Sequence, residues 1–223
     1  MTAIDFRPKY ITFDCYGTLT HFQMGQMARD MFADRIAPEA MSAFVKDFEN
    51  FRFDEVGCYK PYAEVIGNAL SRTCKLWSLE YKDEYGQRMF DAVPTWGPHA
   101  DVPEGLTKVA REYPLVILTN ADDSQIQHNV DKLGAPFHAV YTAQQAQAYK
   151  PRFQAFEYMF DQLGCGPDDI LHVSSSMRYD LMPAHDLRVK HKVYVNRGYE
   201  PAVPFYRCHE IKDISGLPGL LGL

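Results

Sequence analysis

Residues 10–20 read YITFDCYGTLT, and this stretch decides the fold. Three apolar or β-branched residues, Ile11 to Phe13, lead into Asp14, and Gly17 breaks the chain three residues later. This pattern predicts a buried strand that ends on a carboxylate and is followed by a tight turn. Because a buried charge is costly unless nearby groups stabilise it, the aspartate needs partners from elsewhere in the chain.

The composition is that of an ordinary globular protein. The chain has 223 residues, of which 46 % are apolar and 23 % are charged, enough for a full core and one inserted subdomain. The net charge of -6 and the lack of a lysine or arginine run argue against nucleic acids or an anionic membrane surface as partners. With no apolar stretch of membrane-spanning length and no signal-peptide layout at the N-terminus, we expect a cytoplasmic protein.

The cysteines and histidines give no sign of a metal site. The five cysteines are scattered without a CxxC pair, which predicts reduced thiols. The eight histidines show neither HxH nor HxxxH spacing, so no zinc site is visible. The cysteines and histidines therefore predict no zinc site.

Further apolar, β-rich runs recur along the chain and alternate with helical patterns. Two segments between the later runs, at 123–134 and 152–164, carry apolar residues at helical spacing and end on a glycine. This alternation predicts an α/β fold, a Rossmann-like parallel sheet with helices on both faces. The predicted strands after the first are Leu115–Thr119, His138–Tyr141, Ile170–Val173 and Lys192–Val195.

Nearly a hundred residues separate the first strand from the second, far more than one crossover needs. Residues 22–92 read almost wholly as helices, and the Pro/Gly-rich stretch VPTWGPHADVP follows at 93–103. We therefore predict an inserted helical cap subdomain over residues 22–92. The core domain would comprise residues 1–21 and 93–223.

Polar side chains follow several predicted strands, and in open parallel sheets ligands bind beyond the carboxyl ends of the strands. Each of these side chains has a structural explanation of its own, such as helix capping by Thr119 and Asn120. Their joint placement at successive strand ends favours an active site instead. The candidates are Asp14, Tyr16, Thr18, Thr119, Asn120, Lys150, Ser174, Ser175, Ser176 and Asp180.

The motifs FDCYGTL, VILTN, YKP and ILHVSSSMRYDLMPA occur in this order and resemble the four motifs of the haloacid dehalogenase superfamily. Most members of that superfamily are magnesium-dependent phosphatases, with an Asp-x-Asp first motif and a fourth motif that begins Gly-Asp. Here Tyr16 stands at the second acid, and Ser174-Ser175 stand at the Gly-Asp pair. The combination is similar to the type II 2-haloacid dehalogenases.

This resemblance implies a hydrolysis of a (S)-2-haloacid to a 2-hydroxyacid and halide that needs no metal and no cofactor. Asp14 would displace the halide and form an aspartyl ester, which water would then hydrolyse. Lys150 would hold Asp14 ionised, and Asp180 would orient Lys150 or activate water. The resemblance also implies hydrogen-bond donors and substrate contacts from Thr18, Tyr16, Thr119, Asn120, Ser174 and Ser176.

The resemblance is incomplete in the predicted cap and around the lysine motif. The family carries a cap arginine that grips the substrate carboxylate, and the segment SAFVKDFENFRFDE offers Lys46 and Arg52 as candidates. Phe156 replaces a tyrosine of the dehalogenases, and the spacing to Asp180 is one residue longer, as in phosphatases. These differences leave the identity of the small anionic substrate open. Hydrolysis at another activated carbon centre, such as that of a strained azetidine ring acid, is an alternative.

Two further alternatives come from other functional classes. One is a magnesium-dependent phosphatase, and the other is a non-catalytic relative that binds a ligand through the old site. The retention of Asp14, Lys150 and Asp180 together argues against a non-catalytic relative. Related enzymes are often dimers through their cap helices, so a homodimer is expected.

Overall fold

The computed structural model describes residues 4–223 and divides the chain into two compact units. The core unit comprises the described residues up to His21 together with Gly97–Leu223, and the helical unit comprises Phe22–Trp96. The helical unit ends at Trp96 and not at residue 92, because its last helix continues into a 3₁₀ turn, Val93–Thr95. The indole of Trp96 then packs edge-on against Phe22 at the other end of the unit.

The helical unit is built from four amphipathic helices. Apolar residues at helical spacing bury one face of each helix, as in the α3 residues Val65, Ile66 and Ala69. The region predicted to be almost wholly helical forms these four helices, with non-helical connections between them. The bounds are α1 Met24–Phe32, α2 Met41–Glu55, α3 Tyr62–Leu76 and α4 Asp83–Ala92.

The core unit is built on a six-stranded parallel sheet with strand order β3-β2-β1-β4-β5-β6, which confirms the predicted fold class. Strand β1 lies between β2 and β4, and Phe13 pairs with Ile117 on one side and Val173 on the other. The carboxyl ends of three strands therefore meet where Asp14 follows β1. The strands are β1 Tyr10–Phe13, β2 Leu115–Thr119, β3 Ala139–Thr142, β4 Ile170–Ser174, β5 His191–Val195 and β6 His209–Ile211.

Helices cover both faces of the sheet. Alternate residues of a strand point to opposite faces, and Ile117 joins the cluster with Leu106, whereas Val116 and Leu118 join the cluster with Phe156. None of the helices within residues 4–223 is both long and apolar enough to cross a bilayer. The core helices are α5 Val102–Val109, α6 Asp123–Val130, α7 Ala143–Ala146, α8 Phe153–Leu163, α9 Met182–Asp186 and α10 Leu217–Leu220.

We predict that Gly105→Ala destabilises the core unit, because a Cβ at this position of α5 would lie 2.7 Å from the Ile214 carbonyl oxygen. The clash should lower the free energy of unfolding by about 1–3 kcal/mol, despite the higher helix propensity of alanine. Urea-induced unfolding followed by circular dichroism measures this change.

The matched control is Gly97→Ala, where an added Cβ meets no atom within 4 Å and φ lies outside the left-handed region. This variant should unfold within about 0.5 kcal/mol of the parent. Equal stability of both variants would mean that α5 can move away from Ile214 without cost.

Candidate active site

The chain after β1 folds so that Asp14 stays attached to the sheet while the next residues turn back toward it. The amide of Asp14 donates to the Val173 carbonyl of β4 at 3.1 Å. Gly17 then takes a φ of +94°, a conformation that side chains with a Cβ rarely adopt. The turn brings the Thr18 side chain onto the Asp14 carboxylate.

Thr18 links Asp14 to the end of β4. Its hydroxyl donates to Asp14 Oδ2 at 2.7 Å and accepts from the backbone amide of Ser175 at 2.8 Å. Both Thr18 and Ser175 are buried, and Asp14 is 7 % exposed. Because the Thr18 oxygen accepts from the Ser175 amide, the Thr18 hydroxyl proton points to the Asp14 carboxylate. Ser175 was among the strand-end candidates, but sequence reasoning gave it no specific role, and a role of its backbone amide has no signal in the sequence.

Lys150 lies between the two carboxylates of the site. Its ammonium donates to Asp14 Oδ1 at 2.9 Å, to Asp180 Oδ1 at 2.7 Å and to the Leu118 carbonyl at 2.7 Å. The lysine is 1 % exposed, so these three contacts replace its hydration. The structure thus brings together Asp14, Thr18, Lys150 and Asp180.

Asn120 positions Lys150 through two reciprocal hydrogen bonds. Its side-chain amide donates to the Lys150 carbonyl at 2.9 Å, and its side-chain oxygen accepts from the Lys150 amide at 2.8 Å. Asn120 therefore fixes the lysine segment against the end of β2. This contact differs from the predicted substrate contact, because the side-chain oxygen and one amide proton are engaged with the backbone.

Asp180 lies on a π-helical turn, Met177–Leu181, and contacts a histidine as well as the lysine. His172 Nε2 lies 3.1 Å from Asp180 Oδ1, and His172 Nδ1 lies 2.8 Å from Thr12 Oγ1. All three side chains are fully buried. Sequence reasoning missed His172, although a histidine inside the apolar strand ILHVS was a visible signal.

Glu200 anchors the π-helical turn that carries Asp180. One of its carboxylate oxygens accepts from Ser176 Oγ at 2.9 Å, and the other accepts from the amides of Met177 and Arg178 at 3.0 and 3.2 Å. Ser176 Oγ also accepts from the amide three residues on, so this serine caps the turn. No motif pointed to Glu200, because it lies in the loop after β5.

The other predicted substrate-binding residues of the core unit differ in how far their polar atoms are engaged. The Tyr16 hydroxyl donates to Asn129 Oδ1 at 2.7 Å, and Ser174 Oγ accepts from the Ser176 amide at 3.0 Å. Thr119 Oγ1 is buried and has no hydrogen-bond partner in the described part of the chain. Of these three, Thr119 is therefore the one with an unpaired hydroxyl for a ligand.

Arg197 supports the turn after Asp14 from the side of β5. Its Nη2 donates to the Thr18 carbonyl at 2.9 Å, and the guanidinium forms two hydrogen bonds of 2.8 and 2.9 Å with Asp101. Asp101 also accepts from the Ile214 amide at 2.8 Å. This bidentate ion pair holds the backbone of Thr18 in place.

Lys46 and Arg52 belong to the helical unit and have different surroundings within it. The Arg52 guanidinium lies 5.0 Å from the Phe22 ring centroid and 5.2 Å from that of Phe48. Its Nε is buried without a hydrogen-bond partner among residues 4–223. The Lys46 ammonium lies 3.2 Å from Glu49, and its side chain is 60 % exposed.

The two carboxylates of the site differ in their pKa values. Burial raises the pKa of Asp14, and the negative charge of Asp180 adds to this, whereas Lys150 and Thr18 oppose it. Burial alone would raise the pKa of Asp180 too, but the Lys150 charge and the His172 hydrogen bond hold it below its usual range. Despite its burial, Lys150 has a raised pKa because it faces both carboxylates. Two neighbouring carboxyl groups with different pKa values can take different catalytic roles.

The donor set of the site does not fit a magnesium ion. Magnesium prefers an octahedron of oxygen ligands that includes one or two carboxylates. Here the Lys150 ammonium lies against both Asp14 and Asp180, and Tyr16 and Ser175 stand where the phosphatase pattern has further acids. Among residues 4–223 no three acidic, histidine or cysteine side chains are grouped so that they could hold a metal ion.

Comparisons with known proteins show which sequences and folds this chain is similar to. The chain is 26 % identical over 219 residues to (S)-2-haloacid dehalogenase 4A of Burkholderia cepacia, which covers 94 % of this chain and 93 % of that protein. It is 27 % identical over 124 residues to N-acylneuraminate-9-phosphatase of Homo sapiens, with 52 % and 50 % covered. The solved L-2-haloacid dehalogenase from Xanthobacter autotrophicus, with chloropropionic acid covalently bound, has the same fold, with a TM-score of 0.76, 19 % identity and 97 % and 99 % covered.

A family model described as haloacid dehalogenase-like hydrolase matches residues 8–187, from the strand before Asp14 to the end of the segment that carries Asp180. The match includes all four motifs and the helical unit. It confirms the predicted superfamily and the hydrolase class. The chain therefore belongs to the haloacid dehalogenase-like hydrolase family.

Proposed function

We propose that this protein is a 2-haloacid dehalogenase that converts a (S)-2-haloacid to a 2-hydroxyacid and halide without a metal ion. The observation that carries the proposal is the buried Lys150 ammonium between Asp14 and Asp180, in a site with no acid at Tyr16 or Ser175. A halide leaves without a proton, so the reaction needs no acid at these positions. The relative from Burkholderia cepacia, matched over nearly the whole chain, supports the proposal.

In the first step, a carboxylate oxygen of Asp14 attacks the carbon that bears the halogen. The new carbon–oxygen bond forms as the carbon–halogen bond breaks, and the halide leaves with the bonding electrons. Lys150 holds one carboxylate oxygen and Thr18 holds the other. These contacts fix the orientation of the nucleophile before the substrate arrives, which lowers the entropic part of the barrier.

In the second step, water attacks the carbonyl carbon of the Asp14 ester. Lys150 and Thr18 each hold a different oxygen of Asp14, so the oxygen that did not attack the substrate keeps its donor as it becomes negative. Asp180 takes a proton from the attacking water through Oδ2, which is buried and has no partner in the described residues. It then returns this proton to the leaving alkoxide, and the regenerated Asp14 carboxyl releases its own proton to solvent.

The alternatives differ in what they require from the site. A phosphatase, which the partial match to the human enzyme favours, needs a divalent cation and an acid for the leaving alkoxide. A ring-opening hydrolase of an azetidine acid would use Asp14 in the same way, but its leaving nitrogen needs a proton. A non-catalytic relative would release neither product. The cytoplasmic location, the homodimer and the role of the helical unit as a cap remain predictions.

We predict that halide release does not depend on a metal ion. Incubation with excess EDTA should leave the release of chloride from (S)-2-chloropropionate unchanged, because the Lys150 ammonium supplies the positive charge between the two carboxylates. A parallel assay with p-nitrophenyl phosphate and magnesium should give no phosphate. Activity that is lost with EDTA and restored by magnesium would contradict the proposal.

We predict that the first turnover in H₂¹⁸O labels the enzyme and not the product. Water attacks the aspartyl carbon, so a single turnover with enzyme in excess should place the heavy oxygen in the peptide that contains Asp14. Mass spectrometry of this peptide and of the hydroxyacid measures the label. Asp14→Asn should be inactive yet folded, since the amide is a poor nucleophile of nearly the same shape. Label in the hydroxyacid alone would indicate direct attack by water.

We propose Arg52, and not Lys46, as the cation that binds the substrate carboxylate. The buried Nε of Arg52 lacks a partner in the part of the chain described, whereas the exposed Lys46 already faces Glu49. An arginine also binds a carboxylate through two parallel hydrogen bonds.

We predict that Arg52→Ala lowers kcat/KM by at least about 30-fold, equivalent to about 2 kcal/mol for a buried charged contact. The control Lys46→Ala should stay within about threefold of the parent, the small energy of an exposed ion pair. Steady-state kinetics with (S)-2-chloropropionate measure both. An unchanged kcat/KM for Arg52→Ala would mean that another group holds the carboxylate.

A further inference from the structure

His172 connects the central strand of the sheet to the carboxylate of Asp180. It lies on β4, with Nδ1 2.8 Å from Thr12 Oγ1 of β1 and Nε2 3.1 Å from Asp180 Oδ1. All three side chains are fully buried. The other residues of β4 up to Val173 are apolar, so a histidine here carries a desolvation cost that an aliphatic residue would avoid.

The Asp180 carboxylate determines that Nε2 of His172 is a donor. The carboxylate of Asp180 accepts from Lys150, so it is ionised and can only accept hydrogen bonds. Nε2 of His172 therefore donates to Asp180, and Nδ1 shares a hydrogen bond with the Thr12 hydroxyl, a group that can either donate or accept. Every hydrogen bond in this chain then has one donor and one acceptor.

Both donors to Asp180 act on the same oxygen. Lys150 and His172 meet at Oδ1, and Oδ2 is the oxygen left without a partner among residues 4–223. The terminal torsion of an aspartate is broad and nearly two-fold, so a single donor does not fix which oxygen faces it. Lys150 also divides its donors between Asp180, Asp14 and Leu118, and the second donor therefore decides the orientation.

We propose that His172 is a positioning residue for the hydrolysis of the ester. By donating to Oδ1, it keeps Oδ2 of Asp180 available to accept the proton of the attacking water. This inference rests on the proposed function and concerns its second step alone. The first step uses Asp14, Lys150 and Thr18, none of which His172 contacts through an observed hydrogen bond.

The experiment measures both steps separately in a single turnover. Enzyme in excess reacts with (S)-2-chloropropionate, and samples quenched over time are analysed for chloride and for the esterified peptide that contains Asp14. His172→Phe should release chloride at nearly the parent rate and lose the ester about tenfold to a hundredfold more slowly. That range is expected for the loss of one hydrogen bond to a charged group.

Two polar substitutions separate the positioning role from packing. Glutamine places its amide nitrogen near the position of Nε2, so His172→Gln should hydrolyse the ester within about threefold of the parent. Asparagine reaches only toward Nδ1 and Thr12, so His172→Asn should resemble His172→Phe. If His172→Phe fails to fold, the rates of ester hydrolysis in His172→Gln and His172→Asn are compared instead.

A packing control is Phe156→Leu, because the Phe156 ring lies edge-on to His172 with centroids 5.3 Å apart. This variant should leave the ratio of the two rates unchanged. Ester hydrolysis at the parent rate in His172→Phe and His172→Asn, or equal slowing of both steps, would overturn the inference while the ester itself upholds the proposed function. Absence of both ester and chloride with the parent enzyme would overturn the proposed function and the inference together.

Discussion

The buried ammonium of Lys150 is the interaction on which the site depends. It contacts two carboxylates and a backbone carbonyl, and these partners come from the ends of β1 and β2 and from the π-helical turn. Removing the lysine would leave two buried negative charges facing each other without a counter-ion, a strongly unfavourable arrangement. Asn120 holds the segment that carries Lys150, and Glu200 holds the turn that carries Asp180. Together with the ends of β1 and β2, these contacts place the lysine where it reaches all its partners.

The neighbours of the two carboxylates make them unequal although they share one lysine. Asp180 receives a second donor from His172, and the pKa of its carboxyl lies below the usual range. Asp14 receives only the neutral hydroxyl of Thr18 as a second donor, and burial raises its pKa. Asp14 keeps a more basic carboxylate, which is the better nucleophile of the two.

The sequence predicted the parts of the site that have a local signal, and it missed those created by tertiary contacts. Five strands and the residues at their ends follow from apolar runs and from the motifs around Asp14, Lys150 and Asp180. The short strand β6 was missed because only Ile211 of its residues is buried, which leaves no alternation to detect. Glu200 and Arg197 were missed because each acts on a segment distant in sequence, through contacts that no local periodicity encodes.

Charge balance explains why the proposed reaction suits this site. With Lys150 protonated and Asp14 and Asp180 ionised, the three buried groups carry a formal charge of about minus one. An anionic substrate adds to this, which is the electrostatic reason for proposing a further cation for binding. Formation of the ester makes Asp14 neutral and transfers its charge to the departing halide. The balanced pair of Lys150 and Asp180 remains, so the first chemical step relieves the electrostatic cost of the buried nucleophile and leaves Asp180 ionised for the water that follows.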